Sequence, residues 1–357
     1  MLAALMAETE HVFDPSALSR PAAPGERSER EVEASLRPSR FADFVGQERA
    51  IENLRVAIEA AAARGETLDH VLLSGPPGLG KTSLARILAH EVGARISSAT
   101  GPGLERPRDL VGLLTQLQAG DVFFIDEIHR VPATVEEYLY GAMEDFGVDL
   151  LLDQGPHARV IHMALKPFTL VGATTREGLL SAPFRSRFGL FERLDPYPPE
   201  DLVRVLARSA AILDTRLEPA AARLLAERSR GTPRIANRFL RRARDLAQVC
   251  GRPAIDAALA GEALERMGVD GNGLEEMDRR ILDCLAKSEG QPVGIRTIAA
   301  AVGETEDTIE EVFEPHLLRC GFLRKTARGR TITREGCGAI GVDPARARGA
   351  PGGDLFA

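Results

Sequence analysis

Between Phe41 and Pro196, apolar runs such as Val71-Leu72-Leu73, Val122-Phe123-Phe124-Ile125 and Phe168-Thr169-Leu170-Val171 alternate with helical stretches. Unbroken apolar runs suit strands covered on both faces, so the pattern predicts an α/β fold with a parallel sheet wrapped by helices. Pro196, Pro198 and Pro199 end that pattern, and Glu200 to Gly268 reads as helix rich in Ala, Leu and Arg, broken at Gly231-Thr232-Pro233. Beyond Asp270-Gly271-Asn272-Gly273 come three helical patterns, Met277 to Lys287, Ile295 to Val302 and Thr305 to Arg319. Two strand-like pieces follow, Gly321-Phe322-Leu323 and Thr331-Ile332-Thr333, which is the order of a winged helix. Residues 1–34 carry Pro, Ala, Glu and Arg without a sustained apolar period and read as a mobile arm. The expected plan is that arm, a large sheet domain over 35–197, a small helical domain over 198–268 and a winged head over 271–357.

Composition narrows the function classes. With 44% hydrophobic and 27% charged residues the chain reads as soluble and globular, and no apolar run approaches the roughly 18 residues a membrane span needs. The opening Met1 to Met6 is apolar but meets Glu8 and Glu10 before a signal-peptide core could form, so a cytoplasmic protein is expected. Cys250, Cys284, Cys320 and Cys337 form no C-x-x-C pair, which suggests neither a zinc site nor a disulfide framework. A net charge of −7 argues against a chain that coats nucleic acid with its whole surface, so any DNA contact is local.

The first chemistry-bearing motif is Gly75-Pro76-Pro77-Gly78-Leu79-Gly80-Lys81-Thr82, which spells G-x-x-x-x-G-K-[ST] between an apolar strand and a helix. In that placement, backbone N–H groups cradle phosphates, Lys81 approaches the β and γ oxygens and Thr82 takes Mg²⁺. The run Val122 to Ile125 then ends in Asp126-Glu127. Two acids after a strand are often a solvated turn, but behind a phosphate loop Asp126 reads as the Mg²⁺ carboxylate and Glu127 as the general base for water. Gly172-Ala173-Thr174-Thr175 ends another strand and offers a hydroxyl, assigned to Thr174, to sense the γ-phosphate. In Arg185-Ser186-Arg187-Phe188, Arg187 is a candidate finger for a neighbour's nucleotide, while an ordinary surface ion pair suits Arg185 better. Gly231-Thr232-Pro233-Arg234 sets Arg234 at a helix start.

These residues resemble the RuvB family of AAA+ motors for Holliday-junction branch migration, from Leu36 to about Thr333. The phosphate loop alone is generic. More specific are Leu36-Arg37-Pro38 with Val45-Gly46-Gln47, Phe124 to Arg130, Ala142 to Phe146, Gly172 to Arg176 and Arg230 to Arg238. The resemblance implies that Leu36 and Arg37 contact the adenine side of ATP, that Gly78, Lys81, Thr82 and Ser83 bind phosphates and Mg²⁺, and that Tyr197 and Arg234 act as base-side contact and second sensor. It implies a trans-acting Arg187, and places Glu144, Asp145 and Phe146 at the nucleotide-bearing interface of a homo-hexameric ring. It further implies that the stretch 148–164 is a hairpin gripping the partner RuvA, with Leu150, Leu151 and Leu152 as contact area or, alternatively, as a buried strand. A complex with the resolvase RuvC is implied as well.

Arg319, Arg324, Lys325, Arg328, Arg330 and Arg334 cluster on the expected hairpin with no acid between Arg319 and Arg334. The preceding helix instead carries Glu304, Glu306, Asp307, Glu310, Glu311 and Glu314, which phosphates repel. The wing is therefore expected to touch duplex DNA through its backbone, blind to sequence, and the helix is not. By resemblance the contacts are Lys325 and Arg330 with Arg328 as a third, while Glu306 stands where the family carries an arginine. A replication-initiator or clamp-loader ATPase, or a protein-remodelling ATPase, would share the core. The acidic third helix favours the first alternative least, and the basic wing counts against the second.

Overall fold

The protein, seen in a computed structural model, is described at residues 33, 35–151, 160–288 and 290–343. All of the expected arm except Glu33 lies outside them, as do Leu152 and the chain beyond Asp343. The chain divides into two compact units, Met1–Arg37 and Pro38–Ala357. In the first, Arg37 pairs with Glu33 at 3.5 Å. The second holds the sheet and every helix from Glu48 onward.

The helices and strands of the sheet region run α1 Glu48–Arg64, β1 Val71–Ser74, α2 Lys81–Val92, β2 Ile96–Thr100, α3 Pro107–Leu114, β3 Val122–Asp126 and α4 Ala133–Glu144. They continue with β4 Gly147–Leu151, β5 Val160–Ala164, β6 Thr169–Thr174, α5 Ala182–Arg185 and β7 Leu190–Arg193. Five strands form a parallel sheet in the order β2-β3-β6-β1-β7. The apolar runs explain its burial: alternate residues face alternate sides. Val71, Leu73, Val122, Phe124, Val171 and Ala173 join one core, and Leu72, Phe123, Ile125 and Leu170 join the other. The strand β6 therefore lies between the strand that feeds the phosphate loop and the strand that ends in Asp126. β4 and β5 form a separate antiparallel ribbon in which Val148 is buried and Ile161 is exposed.

Four helices follow, α6 Pro199–Ile212, α7 Pro219–Arg228, α8 Pro233–Val249 and α9 Ala257–Arg266. Their apolar faces, including Leu202, Leu225, Phe239 and Leu259, continue the first core rather than building a separate one. The last region opens with α10 Glu276–Ala286 and α11 Ile295–Val302. Its third helix, expected as one element over Thr305 to Arg319, consists of α12 Glu306–Thr308, a π-helical turn Ile309–Phe313 and α13 Glu314–Arg319. Pro315 supplies the reason: it has no N–H to donate back to residue 311, so the ladder widens there. The hairpin β8 Leu323–Thr326 and β9 Gly329–Ile332 and the helix α14 Arg334–Ala339 complete this region around its own core. Arg230 ties it to the helices before it. Its buried guanidinium sits 2.5 Å from Asp278 and 3.3 Å from Glu275, and its Nε donates to Gly273 O at 3.1 Å.

Candidate functional site

The phosphate loop leaves β1 at the C-terminal edge of the sheet and enters α2 at Lys81. Two of its glycines are demanded by the geometry. Gly75 has φ 134°, and a Cβ there would stand 2.3 Å from Leu194 O. Gly78 has φ 80°, and a Cβ there would stand 2.7 Å from Thr232 Cγ2 and 3.2 Å from Arg234 Cβ. The start of α8 thus lies against the loop, with Arg234 beside Gly78. Lys81 is buried, and its ammonium donates to Gly75 O at 2.6 Å and Pro76 O at 2.8 Å. Burial pushes its pKa down to about 8, with Asp126 opposing the shift and Arg234 adding to it.

Thr82 Oγ1 donates to Asp126 Oδ2 at 3.1 Å, so the first turn of α2 and the end of β3 present a hydroxyl and a carboxylate together. Ser83 follows half-buried in the same turn. Asp126 Oδ1 accepts from Glu127 N at 3.0 Å. Hard oxygen donors of this kind suit Mg²⁺, so the residues present fit the metal. Glu127 has φ 51° and pairs with Arg130 at 2.9 Å, leaving its carboxylate at the same sheet edge but engaged.

Thr174 and Thr175 differ in their surroundings. Thr174 is buried, its Oγ1 3.0 Å from His129 Nδ1 and accepting from Arg176 N at 3.0 Å. Thr175 Oγ1 is buried without a hydrogen-bond partner, and Thr175 shares a cleft of about 290 Å³ with Ser74, Gly75, Pro76 and Pro77. Strand alternation could have separated the two, since Thr174 shares the face of Leu170 and Gly172. The sequence did not mark Arg176, which borders this cleft.

Arg187 lies elsewhere. Gly189 N and Leu190 N both donate to His70 O, at 3.0 and 3.1 Å, so the residues before β7 sit at the N-terminal edge of the sheet. With four residues in β1, that edge is about 13 Å of strand from the phosphate loop. There Arg187 donates to Glu144 Oε2 at 3.1 Å and Pro183 O at 2.6 Å, and its guanidinium lies 4.2 Å from the Tyr140 ring centre. Glu144, Asp145 and Phe146 gather at this edge, where His70 Nε2 meets Met143 O at 3.1 Å and the Phe146 ring packs on Phe168. Burial lowers the His70 pKa, and the neutral ring fits both its contacts, donating from Nε2 and accepting from Leu170 N at Nδ1. Tyr197 is buried behind the phosphate loop with its hydroxyl donating to Leu79 O at 3.3 Å; burial raises its phenol pKa. Leu36 and Arg37 belong to the other compact unit.

The basic wing departs from expectation. Arg330, expected on DNA, is only 7% exposed. Its guanidinium is turned onto Glu314 at 2.8 Å and Glu310 at 2.6 Å, because β9 packs its alternate residues Arg330 and Ile332 inward. Lys325, opposite Arg330 in the hairpin, stands 3.5 Å from both carboxylates while remaining exposed. Arg319 is likewise turned inward, donating to Arg230 O at 2.5 Å. Arg324, Arg328 and Arg334 are exposed, with Arg328 at the hairpin turn. Glu306 pairs with Arg296 at 3.4 Å.

A parallel sheet with a phosphate loop, a threonine-aspartate pair beside it and a helical lid arginine against it defines an AAA+ P-loop ATPase carrying a winged helix. Three family models match consecutively: the Holliday junction DNA helicase RuvB P-loop domain at residues 36–194, the RuvB AAA lid domain at 197–270 and the RuvB C-terminal winged helix domain at 271–341. The chain belongs to the RuvB family. It is 55% identical over 313 residues to the Holliday junction branch migration complex subunit RuvB of Chlorobium chlorochromatii, covering 87% of this chain and 89% of that one. Identity to the same subunit of Salinibacter ruber is 54% over 309 residues, covering 86% and 90%. The solved structure of the Thermotoga maritima RuvB Holliday junction branch migration motor superposes with a TM-score of 0.80 at 45% identity, covering 87% of this chain and 99% of that one. No helix among the described residues is long and apolar enough to cross a membrane.

Proposed function

We propose that the chain hydrolyses ATP with Mg²⁺ at contacts between like subunits of a hexameric ring and uses that hydrolysis to drive branch migration of Holliday junctions. The observation that carries the reading is the division of the site. Lys81, Thr82, Asp126 and Thr175 gather at one edge of the sheet, and Arg187 is fixed at the other. An arginine about 13 Å of strand away cannot reach its own phosphates; held half-buried against Glu144, Pro183 O and the Tyr140 ring, it is kept for those of a neighbour.

In this reading Lys81 neutralises the β and γ oxygens, Thr82 and Asp126 hold Mg²⁺, and Glu127 orients and deprotonates the attacking water once Arg130 yields it. Thr175 reports the γ-phosphate in place of Thr174. Arg234 and Tyr197 bring the helical lid to the nucleotide. The chain works as a sheet domain over 35–197, a helical domain over 198–268 and a winged head over 271–357. The ribbon β4–β5 is the surface for RuvA, with RuvC joining the same cytoplasmic complex, and the exposed wing residues Arg324, Lys325 and Arg328 hold the duplex by its phosphates.

Mixing tests the shared site. Lys81→Ala and Arg187→Ala proteins each lose hydrolysis alone. Mixed rings should regain part of it, where an intact Lys81 of one subunit meets an intact Arg187 of the next. A mixture no more active than the sum of its parts would rule out action in trans. Loss of activity should carry over to a four-way-junction branch migration assay with RuvA present.

A further inference from the structure

The third helix of the winged head is docked on the nucleotide-sensing end of β6. Arg176, the residue after Thr175, donates to Asp307 Oδ1 at 3.0 Å and stands 2.6 Å from Glu311 Oε1. Its own backbone N–H donates to Thr174 Oγ1, so the guanidinium that meets the head and the strand end that meets the phosphates belong to one rigid turn. Glu310, Glu311 and Pro315 of the head line the same cleft as Ser74, Gly75, Pro76, Pro77 and Thr175. Glu311 is close enough for its charge to be felt at Lys81. Glu310, next to Glu311, and Glu314, one turn beyond Glu310, hold Lys325 and Arg330 of the wing. The helix thus has carboxylates toward the nucleotide loop on one side and toward the basic wing on the other.

We propose that this docking competes with a triphosphate: the γ-phosphate and the head's carboxylates contend for Arg176 and for the space beside Thr175, so ATP releases the head and ADP lets it return. The proposal rests on the nucleotide site proposed for Lys81, Thr82 and Asp126. A γ-phosphate adds negative charge beside Glu310 and Glu311, and like charges across a low-dielectric cleft repel. Linkage makes the effect reciprocal, so weakening the docking must strengthen triphosphate binding more than diphosphate binding.

Two measurements on the full-length chain decide it. The first is affinity for ATPγS and for ADP, by displacement of a fluorescent nucleotide, in the parent and in Asp307→Asn/Glu311→Gln. The double variant should tighten ATPγS over ADP by about fivefold, the lower end of ordinary coupling. An unchanged ATPγS-to-ADP ratio overturns the proposal. The second needs no variant: amide exchange over Glu306–Arg319 should rise when ATPγS is added and stay at its starting level with ADP. Equal exchange with both nucleotides overturns the docking competition while leaving the nucleotide site intact. Absence of any nucleotide binding by the parent overturns both.

Discussion

Lys81 and Arg330 are cations buried to the same degree, 7% exposed each, and both read from sequence as ligand contacts. Their surroundings separate them. Among the described residues, Lys81 has only carbonyl oxygens, Gly75 O and Pro76 O, within hydrogen-bond distance, and burial holds its pKa down at about 8. For Arg330 burial also disfavours the charge, but the hydrogen bonds and charges of Glu314 and Glu310 outweigh it, and its pKa is raised. A buried cation whose charge is not cancelled is costly to the fold and is repaid by an anionic ligand. One already met by two carboxylates has its partner and serves the fold. Burial alone therefore does not mark a functional cation; the charge balance around it does.

The contrast is broken or upheld most sharply by truncation. Lys81→Ala should lower ATP hydrolysis on the order of 10³-fold, as expected for removing a preorganised charge aimed at the transferring phosphate, with little change in melting temperature. Arg330→Ala should do the reverse. It leaves Glu314, itself only 3% exposed, with Lys325 at 3.5 Å as its remaining cation, and removing the closer partner of a buried pair costs up to about 3 kcal/mol. Thermal unfolding of the head should show that loss while hydrolysis without DNA stays near the parent rate. A Lys81→Ala protein that hydrolyses ATP normally, or an Arg330→Ala protein as stable as the parent, would erase the distinction.

Titration gives a smaller effect with a definite sign. The folded pKa of Lys81, about 8, lies below its ordinary 10.5. As pH rises the folded chain sheds this proton before the unfolded chain does, so the cost of the buried charge to stability fades between about pH 8 and pH 10.5. Catalysis runs the other way. The value of kcat/KM for ATP, which reports groups of the free enzyme, should fall above about pH 8, approaching tenfold per pH unit. A profile flat to pH 9.5 would mean that Lys81 keeps its proton and is better compensated than its contacts suggest.

Legibility in the sequence depends on what each feature is made of. The phosphate loop is a backbone structure, and its glycines at positive φ write themselves into the sequence. The sheet is equally legible, because strands buried on both faces must be apolar throughout. Thr174 and Thr175 are harder to tell apart, because two like residues in a row require the strand's register, not only its end. Arg330 reads as a DNA contact only while charges are counted without regard to alternation. Leu323 and Ile332 pair across the hairpin and point inward, and two residues along each strand Lys325 and Arg330 pair on that same face. The contact of Arg176 with Asp307 and Glu311 joins residues more than 130 positions apart. No local pattern announces it.

The finest test lies within the wing itself. Arg328 is exposed at the hairpin turn, with no carboxylate paired to it among the described residues, whereas Arg330 two residues on is enclosed by Glu310 and Glu314. If the exposed arginine meets a phosphate, Arg328→Ala should weaken duplex binding only a few-fold and equally for unrelated sequences. It should also flatten the slope of log affinity against log salt by about 1, the release of one counterion. Arg330→Ala, measured well below its melting temperature, should leave that slope unchanged, since its charge is already balanced within the head. Measured by fluorescence anisotropy across a salt series, the opposite pattern would place the DNA contact at Arg330 after all. It would require DNA to displace two carboxylates, and the wing would then be a switch rather than a fixed surface.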